Sequence, residues 1–299
     1  MKSVLLPRYH PLDIFAFARE RQTRGERVVL IVVEAVSGAS VRPIGTPMIV
    51  SEAGEYAGYV SNGCVDADIA GHALQALSDG KLRRVKYGEG SPYMDIRLPC
   101  GGGVSVVILP TPNAEIISEI CARFEQRKNV SLSFDDGLSF GSALTYAPPL
   151  RVIAAGRGEN LMMFARAAHS LGIDCAAYSP DADDAVKIKA LGGQAEGLVI
   201  GQAPDWDLDA RTAVVTLFHD HDYEVPLLRK ALESEAFYIG AMGSRTTHDA
   251  RLMALREIDS SLKLSRLRGP IGLVPSMRDA GRLAVSVLAE IIAEEGAPF

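Results

Sequence analysis

The chain has 299 residues, of which 47% are hydrophobic and 23% are charged. This composition is that of a soluble globular protein, and it excludes a disordered, fibrous or collagen-like chain. The formal net charge of −6, without a segregated basic patch, argues against a nucleic-acid partner. At about 150 residues per domain, the length predicts two domains that each bury their own core.

Cysteine usage and hydropathy indicate a cytoplasmic protein. The four cysteines, at positions 64, 100, 121 and 175, are widely spaced and form no C-x-x-C pair, which favours a reducing compartment. Residues 1–11 lack the apolar core of a secretory signal. The longest apolar run, 28–33, is far shorter than the roughly 20 residues of a membrane-spanning helix. We therefore expect no membrane partner.

The first half of the chain is predicted to be rich in strands. After a short helix from Asp13, the β-branched run 27–33 indicates a strand buried on both faces. A helix beginning near Asp66 carries an apolar stripe and ends at Gly80. The stripe consists of Ile69, Ala70, Ala73, Leu74 and Leu77. Short strands are predicted at 47–51, 55–60, 84–87, 94–98 and 104–109. A second helix, 113–127, and two strand-like runs complete this half.

Consecutive prolines at 148 and 149 mark a domain boundary, because they break regular structure. We predict a smaller α+β domain over 1–147 and a second domain over 148–299. In the second domain strands and helices alternate, which predicts a Rossmann-like, doubly wound parallel α/β sheet. The predicted strands are 151–155, 174–178, 197–200, 212–217 and 236–239. The predicted helices include one from Asn160, with Leu161, Phe164, Ala165 and Ala168 on its apolar face, and one over 279–295.

The first candidate site is the turn Gly156-Arg157-Gly158 between a strand and a helix. Glycines permit a tight turn there, and the helix start offers free N–H groups to a phosphate. Two residues disfavour NAD(P): Leu161 replaces the third glycine of the dinucleotide fingerprint, and Ser179 stands where an acidic ribose ligand is expected. The turn is therefore either a phosphate site or a plain connection.

Two further turns are predicted to lie on the same sheet edge. His219 and Asp220 follow the strand 212–217, next to the first turn at the expected switch point. With His221 they are either a zinc site lacking a third ligand or a solvated loop. Gly240, Gly243, Ser244 and Arg245 follow the last predicted strand of the sheet, where Ser244 can cap a helix and Arg245 can pair with an anion.

Two cysteines of the first half are candidates for chemistry. Gly63-Cys64 directly precedes a helix, whose dipole favours the thiolate. Cys100-Gly101 opens a glycine-rich loop that can bind an anion through its N–H groups. The alternative for each thiol is an inert buried position. Cys121 and Cys175 lie within apolar patterns and are predicted to be core residues.

Taken together in this order and spacing, these segments resemble the XdhC/CoxI family of accessory factors for xanthine dehydrogenase and related molybdenum hydroxylases. In the first half the resemblance includes residues 42–45, 60–66 and 98–102. In the second half it includes Gly156 with Gly158 and residues 219–221, 238–245, 270–273 and 284–290. The chain departs from the family's usual pattern at Asn62, Leu161, Ser179 and Phe218, and over 274–282.

The resemblance implies a protein that binds molybdenum cofactor and delivers it to the apoenzyme of a molybdenum hydroxylase. Such a protein is a maturation factor rather than an enzyme. A cysteine desulfurase is a further expected partner, and the likeness also suggests a homodimer. We expect Arg245 and the Gly156 turn to hold the anionic end of the cofactor, and Cys64 and Cys100 to approach its metal or sulfur end across the domain interface.

Three alternative functions stay open on the sequence. The first is an NAD(P)-dependent oxidoreductase in which His219 or Cys64 performs acid–base chemistry. The second is a metal-dependent hydrolase built on His219 and His221. The third is an interaction protein whose crevice binds nothing.

Overall fold

The computed structural model describes residues 10–38, 42–61, 63–88, 102–132, 144–218 and 221–296. The chain divides into two compact units, one ending at Pro148 and the other beginning at Pro149. Within the described ranges, no helix is long and apolar enough to cross a membrane.

Five of the described strands form a sheet in the first unit, with the order β3-β2-β1-β5-β4 and antiparallel neighbours. Its strands are β1 (Val28–Ser37), β2 (Pro47–Ser51), β3 (Tyr56–Ala57), β4 (Arg83–Tyr87) and β5 (Gly103–Pro110). The helices are α1 (Pro11–Thr23), α2 (Asp66–Asp79) and α3 (Ala114–Glu125). A separate antiparallel pair consists of β6 (Val130–Leu132) and β7 (Leu144–Tyr146).

The central strand β1 explains the layers of this unit. Val28–Val33 are all buried, and alternate side chains enter two different cores. Leu30 packs with residues of α1 and α3 on one face, whereas Ile31 packs with residues of α2 on the other. The predicted burial of this strand on both faces is confirmed.

Six described strands form the parallel sheet of the second unit, in the order β10-β9-β8-β11-β12-β13. They are β8 (Arg151–Gly156), β9 (Asp174–Ser179), β10 (Gln194–Gly197), β11 (Thr212–Leu217), β12 (Tyr238–Ala241) and β13 (Leu267–Arg268). The helices are α4 (Gly158–Ser170), α5 (Ala182–Ala190), α6 (His221–Leu232), α7 (Arg245–Ile258) and α8 (Ala280–Glu295). A short 3₁₀ helix covers Leu264–Arg266.

Separate hydrophobic cores on the two faces of this sheet confirm the doubly wound prediction. One core contains the buried residues of α4 and α8, including the predicted stripe of Leu161, Phe164, Ala165 and Ala168. The other contains residues of α6 and α7, such as Leu228 and Leu255. The sheet thus separates two helical layers, as in a Rossmann-like fold.

Several predicted details are wrong. The strand expected at 197–200 lies instead at Gln194–Gly197, where it pairs only with β9, and Val199 and Ile200 are exposed. Strand β3 spans two residues of the six expected at 55–60. Leu74 is exposed rather than part of the buried stripe of α2. Local apolarity misled these predictions, because backbone pairing and tertiary contacts decide which apolar residues are buried. The expected strand 94–98 lies outside the described residues.

Candidate functional site

The switch point of the parallel sheet lies between β8 and β11. The chain moves outward from β8 to β9 on one side and from β11 to β12 on the other, so the turns after β8 and β11 flank one crevice. Leu217, the last residue of β11, pairs in register with Gly156, the last residue of β8. A Cβ atom on Gly156 would lie 2.8 Å from the Cβ of Leu217, so only glycine permits this approach.

The turn after β12 reaches the same edge. A hydrogen bond of 3.5 Å from Asn160 Nδ2 on α4 to Met242 Sδ links the first turn to this one. Met242 N also donates to Thr216 O of β11. The structure therefore brings the described parts of the turns together at one edge of the sheet. His219 and Asp220 lie outside the described residues.

A carboxylate of the chain itself occupies the start of helix α4. Gly158 N donates to Asp184 Oδ2 at 2.7 Å, and Ser179 Oγ donates to the same oxygen at 2.9 Å. The Asp184 side chain is almost fully buried. In a dinucleotide site, N–H groups at this helix start face the pyrophosphate. Here at least one of these N–H groups, that of Gly158, already donates to the Asp184 carboxylate. This contact disfavours the binding of NAD(P) phosphates.

The turn that leads into α7 has two distinct parts. Gly240 lies inside β12 rather than in the turn, where it leaves room for the Tyr238 ring, so its placement after the strand is corrected. Gly243 has a φ of 146°, in the region that favours glycine. Ser244 caps the helix as predicted, since its side chain accepts from Thr247 N. Arg245, in the first turn, is exposed and forms no ion pair with any described residue.

A buried ion pair holds this turn against the sheet. Arg251 of α7 and Glu224 of α6 are both essentially inaccessible, and Arg251 Nη2 lies 2.9 Å from Glu224 Oε2. The same nitrogen donates to Met242 O at 2.8 Å. Thr216 Oγ1 of β11 donates to Glu224 Oε1 at 3.0 Å. The pair therefore ties two helices and two strand ends together beneath the edge.

Aromatic and guanidinium groups also gather at the switch point. Phe218, directly after β11, stacks on Tyr223 of α6 with ring centroids 5.3 Å apart and an interplanar angle of 11°. The Arg157 guanidinium lies over the Tyr223 ring, with its Cζ atom 5.4 Å from the ring centroid. This stack could not be predicted from the sequence, because 66 residues separate Arg157 from Tyr223 and no local pattern links them.

In the first unit, one carboxylate fixes the loop that carries Cys64. Asp66 Oδ1 accepts from Val60 N at 2.8 Å and from Ser61 N at 3.1 Å. Asp66 Oδ2 accepts from Ser61 Oγ at 2.7 Å and also from Gly63 N. Asp66 is buried, whereas Cys64 is exposed. The loop thus presents its thiol from a rigid base, a role of Asp66 that the sequence analysis did not identify.

The other cysteines divide into two groups. Cys121 and Cys175 are buried in the two units, which confirms them as core residues. Burial raises the pKa of both thiols, and that of Cys175 reaches about 12. Cys100 and Gly101 lie outside the described residues, so their site role stays a prediction.

This contrast predicts selective alkylation of the native protein. In a Cys100→Ser variant at pH 8, iodoacetamide should modify Cys64 and spare Cys121 and Cys175. Raising the pKa of Cys175 from its ordinary value of 9.0 to about 12 lowers its thiolate fraction about a thousandfold. Peptide mass mapping would measure the modification, with urea-unfolded protein as the positive control. Equal labelling of Cys64 and Cys175 in the folded chain would contradict the placement.

A metal centre finds no support among the residues described. Within those ranges, no group of three or more His, Cys, Asp or Glu side chains lies close enough to hold a metal ion. Because His219 is outside them, the zinc alternative stays a prediction.

A groove beside α8 is lined mainly by apolar side chains, with Asp279 and Arg282 among its other lining residues. Its volume is about 520 Å³, and its lining includes Leu273, Val274, Met277 and Val285. Ser286, at its edge, already accepts a hydrogen bond from Val274 N. The groove coincides with the stretch 274–282, where the chain departs from the usual family pattern. We place no part of the candidate site there.

Comparisons with known proteins find matches over most of the chain. The XdhC Rossmann domain matches residues 152–291, and the XdhC and CoxI family matches residues 21–88. The molybdenum cofactor insertion chaperone PaoD of Escherichia coli (strain K12) is 34% identical over 294 residues, covering 93% of this chain and 86% of that protein.

A solved structure, described as a xanthine dehydrogenase from Bacillus halodurans, has a similar fold. The TM-score is 0.74 at 18% identity, with 94% of this chain and 95% of that chain covered. The low identity limits this comparison to the fold. The two domain matches and the extended identity to PaoD establish the affiliation: the chain belongs to the XdhC and CoxI family.

Proposed function

We propose that this chain is an accessory factor that binds molybdenum cofactor and delivers it to the apoenzyme of a xanthine dehydrogenase-like molybdenum hydroxylase. The observation that carries the proposal is the 34% identity, over 93% of the chain, to a protein named as a molybdenum cofactor insertion chaperone. A maturation factor needs to bind and release its cargo and does not need to transform a substrate.

The chemistry of the cargo fits groups on each unit. Molybdenum cofactor has a sulfur-bound metal at one end and a phosphate or nucleotide at the other, and soft metals accept thiolate ligands. Cys64 offers an exposed sulfur on a loop fixed by Asp66. Arg245 offers an unpaired charge, among the described residues, beside the capped start of α7. We propose Cys64 for the metal or sulfur end and Arg245 for the anionic end.

We propose further residues on each unit as contacts of the cofactor. On the first unit they are Gly63, Cys100 and Gly101. On the second unit they are Gly156, Gly158, His219, Asp220, Gly240, Gly243 and Ser244. Gly156 and Gly240 are closely packed by neighbouring atoms, which supports a role for them in shaping the site. A cysteine desulfurase and a second copy of the chain are further proposed partners.

Maturation of the client tests the two ends separately. In a host that lacks this protein, Cys64→Ser and Arg245→Glu should each lower the molybdenum content and the specific activity of the client about tenfold or more. Arg166→Glu is the matched control, because Arg166 is also exposed and lies in the middle of α4. Wild-type client activity with both site variants would contradict the assigned residues, and full activity without the protein would contradict the function.

A further inference from the structure

The stack at the switch point runs from the core to solvent. Phe218 is 3% exposed, Tyr223 is half-buried and Arg157 is exposed. Because the Phe218 ring is fixed in the core and lies nearly parallel to that of Tyr223, the pair forms a firm base for the guanidinium. Arg157 is thereby held at the mouth of the crevice by a ring contact.

The donors of Arg157 are not used by the described part of the chain. Its guanidinium carries five N–H donors in a planar fork, and it donates to none of the described residues. An arginine that serves only the fold usually pairs with a carboxylate or a carbonyl, as Arg251 does. Here the fork is positioned next to Gly156 with its hydrogen-bonding capacity available to a ligand.

The neighbouring carboxylate selects the kind of ligand. Asp184 already accepts from Gly158 N, so a phosphate at this helix start would meet a buried negative charge. A neutral group is not repelled in this way. The Arg157 fork can bind a carbonyl oxygen and an adjacent ring nitrogen together, as arginine binds the two acceptors on the edge of guanine.

We propose that Arg157, supported by Tyr223, binds a neutral planar heterocycle through adjacent carbonyl-oxygen and ring-nitrogen acceptors. This inference rests on the proposed function, whose cargo has such a pair of acceptors on its base in a dinucleotide form, and on its pterin when the pterin is oxidised. Asp184 keeps phosphate away from this position, so the anionic end of the same ligand binds elsewhere. The site thus recognises a heterocycle at the position where a dinucleotide-binding fold takes a pyrophosphate.

Binding of metal-free probes to the full chain tests this site. We expect saturable binding of 6-hydroxymethylpterin, followed by its fluorescence anisotropy, and a loss of affinity of about tenfold or more in Arg157→Ala, Arg157→Lys and Tyr223→Ala. Lysine keeps the charge but loses the fork. The surface control Arg166→Ala should bind like the wild type.

Competition identifies which part of the cargo binds. Displacement of the pterin by guanosine or cytidine would assign the site to a base, and failure of both would assign it to the pterin. If none of these probes binds the wild-type chain, or if Arg157→Ala binds them equally well, the inference is wrong. Such a result leaves the proposed function intact as long as the isolated protein carries the cofactor.

Discussion

Replacing Arg251 by methionine should lower the free energy of unfolding of the second unit by about 3–5 kcal/mol, because Glu224 would then keep its buried position without its cation. Both side chains are at most 1% exposed. Arg251 makes three close contacts with the Glu224 carboxylate, at 2.9 to 3.2 Å. Met242 O would also lose the donor that holds the turn after β12.

The single tryptophan makes this prediction measurable in the full chain. Trp206 is the only tryptophan, and it is buried against Tyr178 in the second unit, so its fluorescence in a urea titration reports on this unit. Adding Glu224→Leu to Arg251→Met should recover most of the loss, since an apolar pair has no charge to compensate. A single variant as stable as the wild type would show that the pair does not hold the turn.

Asp66→Ala should lower the free energy of unfolding of the first unit by about 3 kcal/mol and release the loop that carries Cys64. The carboxylate accepts four hydrogen bonds, and the Val60 and Ser61 donors are buried. Without it these donors have no equivalent acceptor. Hydrogen exchange of the amides of residues 60–65 should therefore accelerate strongly, which mass spectrometry of the intact chain can measure.

Two comparisons separate this effect from a general loss of structure. Asp79→Ala removes an exposed carboxylate at the other end of α2, and it should leave exchange in the loop unchanged. The fluorescence spectrum of Trp206 in the folded variant should also match the wild type, because Asp66 makes its hydrogen bonds within the first unit. Unchanged exchange at residues 60–65 in Asp66→Ala would contradict the role of the carboxylate.

Much of the fold could be predicted because its signals are local. The apolar run of β1 and the stripe of α4 lie in short windows, and burial confirms both. Gly80 ends α2 as predicted, in a left-handed conformation with a φ of 69° that glycine adopts without a steric penalty. The position of β10 could not be predicted, because its pairing with β9 overrides the more apolar residues that follow it.

Most contacts that distinguish the candidate site join residues that are far apart in the sequence. Asp184 and Gly158 are 26 residues apart, and Glu224 and Arg251 are 27 apart. Neither partner of such a contact has a distinctive sequence neighbourhood. Asp66 is the exception, because its donors lie within six residues and an acidic residue in a first helical turn is a local signal. The departure at Ser179 was visible in the sequence, but its use as a donor to Asp184 required the structure.

The contact between Asp184 and Gly158 gives a physical reason for the weak dinucleotide fingerprint. Leu161 fills the core position at which a glycine would bring helix and strand closer, and it is completely buried. Ser179 stands where an acidic ribose ligand is expected, and its hydroxyl donates to Asp184. The fold is therefore that of a dinucleotide-binding domain, whereas the residues at its switch point favour a different ligand.

If the chain carries molybdenum cofactor, as we propose, molybdenum and pterin should be found together in protein freshly isolated from a host that makes the cofactor. Metal analysis and the fluorescence of the oxidised pterin are measured on the same untagged sample. We predict that both are present in equal molar amounts and decrease together in Cys64→Ser. Protein that contains neither, and that does not bind added cofactor, would contradict the account.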